Sequence, residues 1–238
     1  MTFRLYYWSG IQGRGEYVRL SLEEAAADYL DLAKEPDGDD RLLEFMERRN
    51  LAHPPFAPPF LEDGDLVVGQ TAAILLYLGD RLGLAPKEAG ARLWTHQIQL
   101  TIADLVTEAH DAHHPLGAHL YYEDQKKESR RRAEAFRGER IPKFLDWFEN
   151  ILDRNAGGGL HLVGKSVTYA DLSLFQTVEG LLYAFPKASA AALRKAPKVA
   201  ALHEAVARRP RIRAYLDSRR RIAFNEQGIF RHYPELDD

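Results

Sequence analysis

A chain of 238 residues with 45% hydrophobic and 28% charged positions can build one large core or two ordinary ones, and its net charge of −3 argues against general affinity for nucleic acid. It has no cysteine, which excludes disulfides, thiolate metal sites and a cysteine nucleophile. No window approaches the roughly eighteen consecutive apolar residues of a membrane span, and the N-terminus lacks a basic region followed by an apolar block, so the expectation is a cytoplasmic protein without a membrane partner.

Residues 3–8 are rich in aromatics and predict a first strand, ended by Gly10 and Gly13. From Arg14 a helical pattern puts Tyr17, Val18, Leu20, Leu22 and Ala25 on one broad face, and residues 28–32 alternate like a second strand. Strand, helix, strand implies a parallel pair. Residues 36–40 read as an acidic loop and 41–50 as a short charged helix before a proline cluster. Two apolar runs, 59–61 and 66–68, then flank Asp63-Gly64, a strong hairpin signal. The next helix opens at Gln70-Thr71, where free backbone N–H groups and the positive end of the helix dipole suit a carboxylate. Beyond Thr71 it is apolar on every side, which predicts burial between layers until Gly83. The order over residues 1–83 is βαβαββα.

From Leu84 to Lys87 the chain reads as a linker, and helical periodicity follows. Trp94, Ile98, Ile102, Leu105 and Ala109 form one stripe, and Pro115 kinks or ends that helix. A second long helix is expected over 123–154, with Phe144, Trp147, Phe148 and Ile151 inward, before the glycine run 157–159. Thr168 with Asp171, and Val167 with Leu172, carry the cap and hydrophobic-staple signature of a helix start, a folding role. The basic run 208–221 reads as a solvated helix face. His110, His113, His114 and His119 read as solvated too, because Pro115 interrupts the helix that would align metal ligands.

On these residues the chain resembles the glutathione transferases, as a bacterial-type member similar to the tyrosine-type alpha, mu, pi and sigma classes. In that family a cis-proline precedes the third strand, and a hairpin then leads to a Gln-Ser or Gln-Thr pair opening a helix. Pro59 and Gln70-Thr71 match those positions, and Ala73-Ile74 with Tyr77-Leu78 follow the pattern of that helix. The resemblance implies an α/β plus all-α fold. A thioredoxin-like glutathione-binding domain would span 1–83, and an all-helical domain carrying the electrophile-site wall and dimer contacts would span 84–238. It implies a detoxifying homodimer, with Phe56 as an anchor into the partner, that takes glutathione as co-substrate and conjugates it to a small hydrophobic electrophile without a metal. A glutathione-dependent isomerase, peroxidase or dehalogenase, or a binding module without turnover, are the alternatives on the same fold.

The resemblance also implies site residues. Relatives of the tyrosine type end strand one with a tyrosine before Arg-Gly; here Gln12-Gly13 stands in place of Arg-Gly with one residue inserted. Tyr7 is the first choice for thiol activation, because a phenol donating to sulfur favours the thiolate. Ser9 is the alternative, and a plain strand-core role for Tyr7 stays open. For glutathione the matches are Arg14, Pro58, Pro59, Gln70 and Thr71, with Arg49 or His53 for the glycine carboxylate. Asp111, or Asp104 in competition with it, would reach from the partner subunit toward the γ-glutamyl amine. Pro58 departs from the pattern, since it lacks the N–H that pairs with the cysteinyl part of the ligand, a loss of about 0.5–1.5 kcal/mol. Trp8, Tyr121, Tyr122 and Phe224 are the expected electrophile pocket, with Phe230 and Tyr233 closing it.

Overall fold

In the computed structural model, which describes residues 2–238, the N-terminal aromatic run forms β1 (Phe3–Tyr6). With a period of two, Phe3 and Leu5 turn to one face and Tyr6 to the other. Next come α1 (Gly15–Ala25) and β2 (Tyr29–Asp31), which pairs parallel with β1. The chain continues through α2 (Gly38–Met46), β3 (Phe60–Asp63), β4 (Leu66–Gly69) and α3 (Thr71–Leu82). The sheet runs β2-β1-β3-β4 with β3 antiparallel to both neighbours, which is the expected thioredoxin-like arrangement.

Helices α1 and α3 cover one face over Leu5, Val18, Leu61, Ile74 and Leu78, and α2 covers the other over Tyr6, Leu42, Phe45 and Phe60. Burying Phe45 and Phe60 contributes about 1.5–3 kcal/mol each. Three expectations shift slightly. The hairpin loop is Gly64-Asp65, one residue later than Asp63-Gly64, because Gly64 at φ +63 supplies the positive φ that the first central position of a type II′ turn needs. Helix α2 begins inside the stretch read as a loop; Gly38 lies so close to the Leu32 carbonyl that a Cβ would be 1.7 Å from its oxygen, and Asp39 and Asp40 then fill a first turn that favours acids. Helix α3 is fully buried only along Ile74, Leu75, Leu78 and Gly79: Ile74 and Leu78 pack in the sheet core, whereas Leu75 joins the helical core and Gly79 lies against Tyr169.

The second part contains α4 (Ala89–Asp111), α5 (Lys126–Ala135), α6 (Ile141–Arg154), α7 (Tyr169–Ala184), α8 (Pro186–Leu193), α9 (Pro197–Ala207) and α10 (Pro210–Leu216). Helix α4 stops before Pro115, whose predecessor is disfavoured in helical conformation. The long helix expected over 123–154 follows a 3-10 turn at Tyr122–Gln125 and is continuous from Lys126 to Arg154, with a π turn at Phe136–Arg140 between α5 and α6. Pro142 accounts for the π turn: its ring would clash with the carbonyl one turn back, and the wider turn opens that contact. Helix α7 is buried on nearly every side, and its start is held as expected. The Thr168 N–H and hydroxyl donate to Asp171 at 2.7 and 2.8 Å, and Leu162 N–H donates to the same carboxylate at 2.7 Å.

Past α10 the chain, broken only by a 3-10 turn at Pro234–Leu236, returns across the bundle and reaches the loop between β1 and α1. Helix α10 and the residues flanking it change the status of α1. The sequence assigns it one apolar face, yet Glu16, Arg19, Ser21, Glu23 and Glu24 are buried as well. The basic run read as solvated is their counter-charge: Arg209 pairs with Glu24 at 2.5 Å, Arg220 with Glu23, and Arg221 with Glu16.

Candidate active site

Tyr7 follows β1 directly and is 5% exposed, its ring lying against the glycines that open α1. A Cβ at Gly13 would fall 2.0 Å from the Tyr7 hydroxyl, one at Gly15 would fall 2.7 Å from its ring, and Gly13 adopts φ +47, so this approach requires glycine. The Arg14 backbone N–H donates to the Tyr7 hydroxyl at 2.8 Å, which leaves the hydroxyl hydrogen available for an outside acceptor. Burial pushes the Tyr7 phenol pKa up, opposed by that N–H and by the charges of Arg14 and Arg19. Tyr7 is therefore a neutral donor near pH 7, not a phenolate base. Ser9 differs: its N–H and hydroxyl both donate to Asp39, at 2.9 and 2.6 Å, so its hydrogen is already used to tie the loop to α2.

Gln12 belongs to a buried polar cluster. Its side chain accepts from Gln176 at 2.8 Å and donates to the Ile222 carbonyl. Arg221 donates to Gln176 at 3.0 Å and pairs with Glu16, which also accepts from the Tyr215 hydroxyl at 2.8 Å and from Arg19 at 3.2 Å. Arg19 is anchored on Asp31 at 2.7 Å and donates to the Gln12 carbonyl at 3.2 Å. An uncharged side chain suits position 12, because an arginine there would bring another guanidinium against Arg221. Such a closed network rigidifies what it joins, here the C-terminal segment and the loop that carries Gly13 and Arg14. Asn225 adds a bond to the Gly10 carbonyl at 2.8 Å.

A narrow, solvent-open cleft lies where Arg14, the first turn of α3 and α4 meet, lined by Arg14, Tyr17, Thr71, Gln99, Ala103 and Val106. Two polar atoms on residues of its wall, Thr71 Oγ1 and Gln99 Oε1, are buried without a hydrogen-bond partner among the described residues. Gln70 precedes Thr71 exposed at φ +64, a conformation that only a minority of non-glycine residues adopt. Pro59 is buried behind a cis Pro58–Pro59 peptide, and Pro58 is half-buried. Gln99 escaped the sequence reading, although a lone glutamine at helical spacing from Ile102 and Val106 was the available signal.

The remaining candidates are dispersed. Arg49 and His53 are exposed, Trp8 is partly so, and Asp111 lies half-exposed at the end of α4 with His110 at 3.3 Å. Phe224 stacks on Tyr183 with centroids 4.9 Å apart and lines a shallow crevice beside Gln12 and Gly13. Tyr121 is 79% exposed. Tyr122 is buried, stacked on Tyr233 at 3.7 Å, and its hydroxyl donates to Glu235 at 3.0 Å, so the returning C-terminal segment covers it. Two of the histidines read as solvated are corrected, while His119 is exposed as expected. His113 and His114 are buried under the same segment, their Nδ1 atoms 2.5 Å apart, with His113 Nε2 bonded to the Ile229 carbonyl at 2.7 Å. Among the described residues no group of three or more histidine or acidic side chains is arranged to hold a metal ion.

Residues 110–219 match the family model for the glutathione S-transferase C-terminal domain. The chain is 24% identical to a glutathione S-transferase of Plasmodium falciparum over 92% of this chain and 97% of that one. It is 28% identical to glutathione S-transferase P 1 of Xenopus laevis over 87% and 89% of the two. Among solved structures, the Pi-class glutathione S-transferase of Onchocerca volvulus superposes with a TM-score of 0.71 at 21% identity, covering 92% and 94% of the chains. Prostaglandin synthase D of Nilaparvata lugens superposes with a TM-score of 0.69 at 18% identity, covering 92% and 98%.

Proposed function

We propose that this chain, whose residues 110–219 match the glutathione S-transferase C-terminal domain model and which is 24–28% identical to glutathione S-transferases over most of its length, is a glutathione transferase in which Tyr7 activates the bound thiol for attack on a small hydrophobic electrophile. The observation that carries this assignment is the Tyr7 hydroxyl, filled as an acceptor by Arg14 N–H at 2.8 Å and left with its hydrogen to give. The thiol proton leaves to solvent, and the thiolate sulfur takes the Tyr7 hydrogen bond. That sulfur then forms the new bond to carbon, and the leaving group departs with its electron pair. Thr71 and the free N–H groups of α3 hold a carboxylate of the tripeptide, and the Pro58 carbonyl faces its cysteinyl backbone. Phe224 and Trp8 offer apolar surface for the electrophile.

In this reading residues 1–83 bind glutathione and 84–238 supply the electrophile wall and the dimer contacts, in a cytoplasmic homodimer. Apolar side chains left in water support the dimer: Phe56 is 91% exposed, and Leu93 and Leu100, seven residues apart on α4, are 69% and 48% exposed. Titration calorimetry with glutathione, followed by conjugation of an aryl halide, tests the function. Micromolar to low-millimolar binding with turnover is expected; no binding at several millimolar would return the chain to a module without turnover.

A further inference from the structure

The five residues from Gly10 to Arg14 belong to no helix or strand, and two of them, Gly10 at φ +72 and Gly13 at φ +47, are glycines, which restrict their own backbone least. Yet the Arg14 N–H at the end of this loop meets the Tyr7 hydroxyl at 2.8 Å, and a hydrogen bond weakens steeply once its angle is lost. The loop therefore needs support from outside itself. Two side-chain amides provide it, and they work in opposite directions. Gln12, 5% exposed, donates from the loop to the Ile222 carbonyl, and Asn225 donates from the C-terminal segment back to the Gly10 carbonyl at 2.8 Å. Both halves of this clasp are anchored. Gln176 of α7 donates to Gln12 Oε1 at 2.8 Å and accepts from Arg221 at 3.0 Å, and the Gln12 carbonyl takes the Glu16 N–H at 3.1 Å. Asn225 Oδ1 accepts from the Gln227 N–H at 3.0 Å. Each amide is used as donor and acceptor at once, which neither an apolar side chain nor a carboxylate reproduces.

Resting on the proposed function, we infer that Gln12 and Asn225 are positioning residues for thiol activation: they hold the Gly13–Arg14 turn so that the Arg14 N–H fills the acceptor side of the Tyr7 hydroxyl and its hydrogen stays aimed at the bound sulfur. They act through Tyr7 and not on the ligand. The segment after α10 thereby completes a site whose tyrosine lies in residues 1–83.

The test reads the acid limb of the kcat–pH profile at saturating glutathione with an aryl halide, beside calorimetric affinity. Gln12→Met keeps the length of the side chain and loses both hydrogen bonds; Asn225→Asp keeps the acceptor for Gln227 and loses the donor to Gly10. Each should move the limb up by about 0.5–1 unit, a roughly three- to tenfold weaker ionisation of the bound thiol, with glutathione affinity within about threefold of wild type. In a Tyr7→Phe background neither should move the limb further, since the hydroxyl that they position is gone. Thr168→Ala, which removes a helix cap and lowers the melting temperature, should leave the limb at its wild-type pH. If Gln12→Met melts below the assay temperature, Asn225→Asp, at a half-buried site, decides the outcome by itself. A limb unmoved by the variants, moved equally by Thr168→Ala, or moved additively with Tyr7→Phe would overturn the positioning role and leave the transferase reading standing. A limb that Tyr7→Phe itself leaves in place would overturn the Tyr7 assignment as well.

Discussion

Replacing Tyr7 by Phe removes one oxygen and two consequences follow from the geometry around it. The first is chemical. A free thiol titrates near 8.5, and each unit of pKa is worth about 1.36 kcal/mol. One charge-assisted hydrogen bond from the Tyr7 hydroxyl, at about 1.5–3 kcal/mol, lowers the bound thiol by roughly one to two units. With a bound thiol near 6.5, about three-quarters is thiolate at pH 7; at 7.5 to 8.5 only about 24% to 3% is, so kcat at pH 7 should fall roughly three- to twenty-five-fold. The second is structural. Arg14 N–H loses the acceptor it has at 2.8 Å in a nearly buried place, which costs about 1–3 kcal/mol of stability, or several degrees in the midpoint of a thermal melt. The assay is the pH profile of kcat at saturating glutathione with an aryl halide, beside calorimetric affinity. The acid limb should move up by one to two units while affinity stays within about twofold. The reasoning is refuted if the limb stays in place, or if Ser9→Ala moves it and Tyr7→Phe does not.

Three further outcomes follow from neighbouring geometry. Thr71→Ala should raise the glutathione KM about tenfold with kcat nearly unchanged, because a carboxylate loses a hydroxyl donor; a KM equal to wild type would mean the hydroxyl makes no ligand contact. Gly13→Ala puts a Cβ 2.0 Å from the Tyr7 hydroxyl at φ +47, so it should destabilise by about 2 kcal/mol or more and raise the apparent thiol pKa in the kcat profile; a wild-type profile and melt would contradict the position of Tyr7. Burial pushes His113 down to about 2 and His114 to about 4, with Arg231 and His110 adding to the effect and Glu123 opposing it at His114. Their contribution is intact above the unfolded value near 6.5 and is lost as pH falls from there toward 4, by up to about 1.36 kcal/mol per unit for each histidine. Urea unfolding at pH 7.5 and 5 should show this drop, and His113→Gln should flatten it.

Much of the fold was legible because its signals are local. The alternation in β1, the hairpin glycine, the opening of α3 at Gln70-Thr71 and the Thr168-Asp171 start of α7 each depend on residues within four positions of one another, where backbone geometry is decided. Pairings between distant segments leave no such trace. Nothing near Ser9 says that Asp39, thirty residues on, takes its hydroxyl hydrogen, and nothing near Gln12 announces Gln176, 164 positions away. The basic run after Arg208 and the histidines after α4 look like surface by composition, yet α10 and its flanks turn the first into counter-charges for α1, and the returning C-terminal segment buries His113 and His114. Gln99 is the sharpest instance. Its helix and its face follow from periodicity, but an unpaired acceptor exists only once α4, α3 and Arg14 have closed around one cleft, because burial and hydrogen-bond satisfaction are properties of packing and not of any stretch of chain.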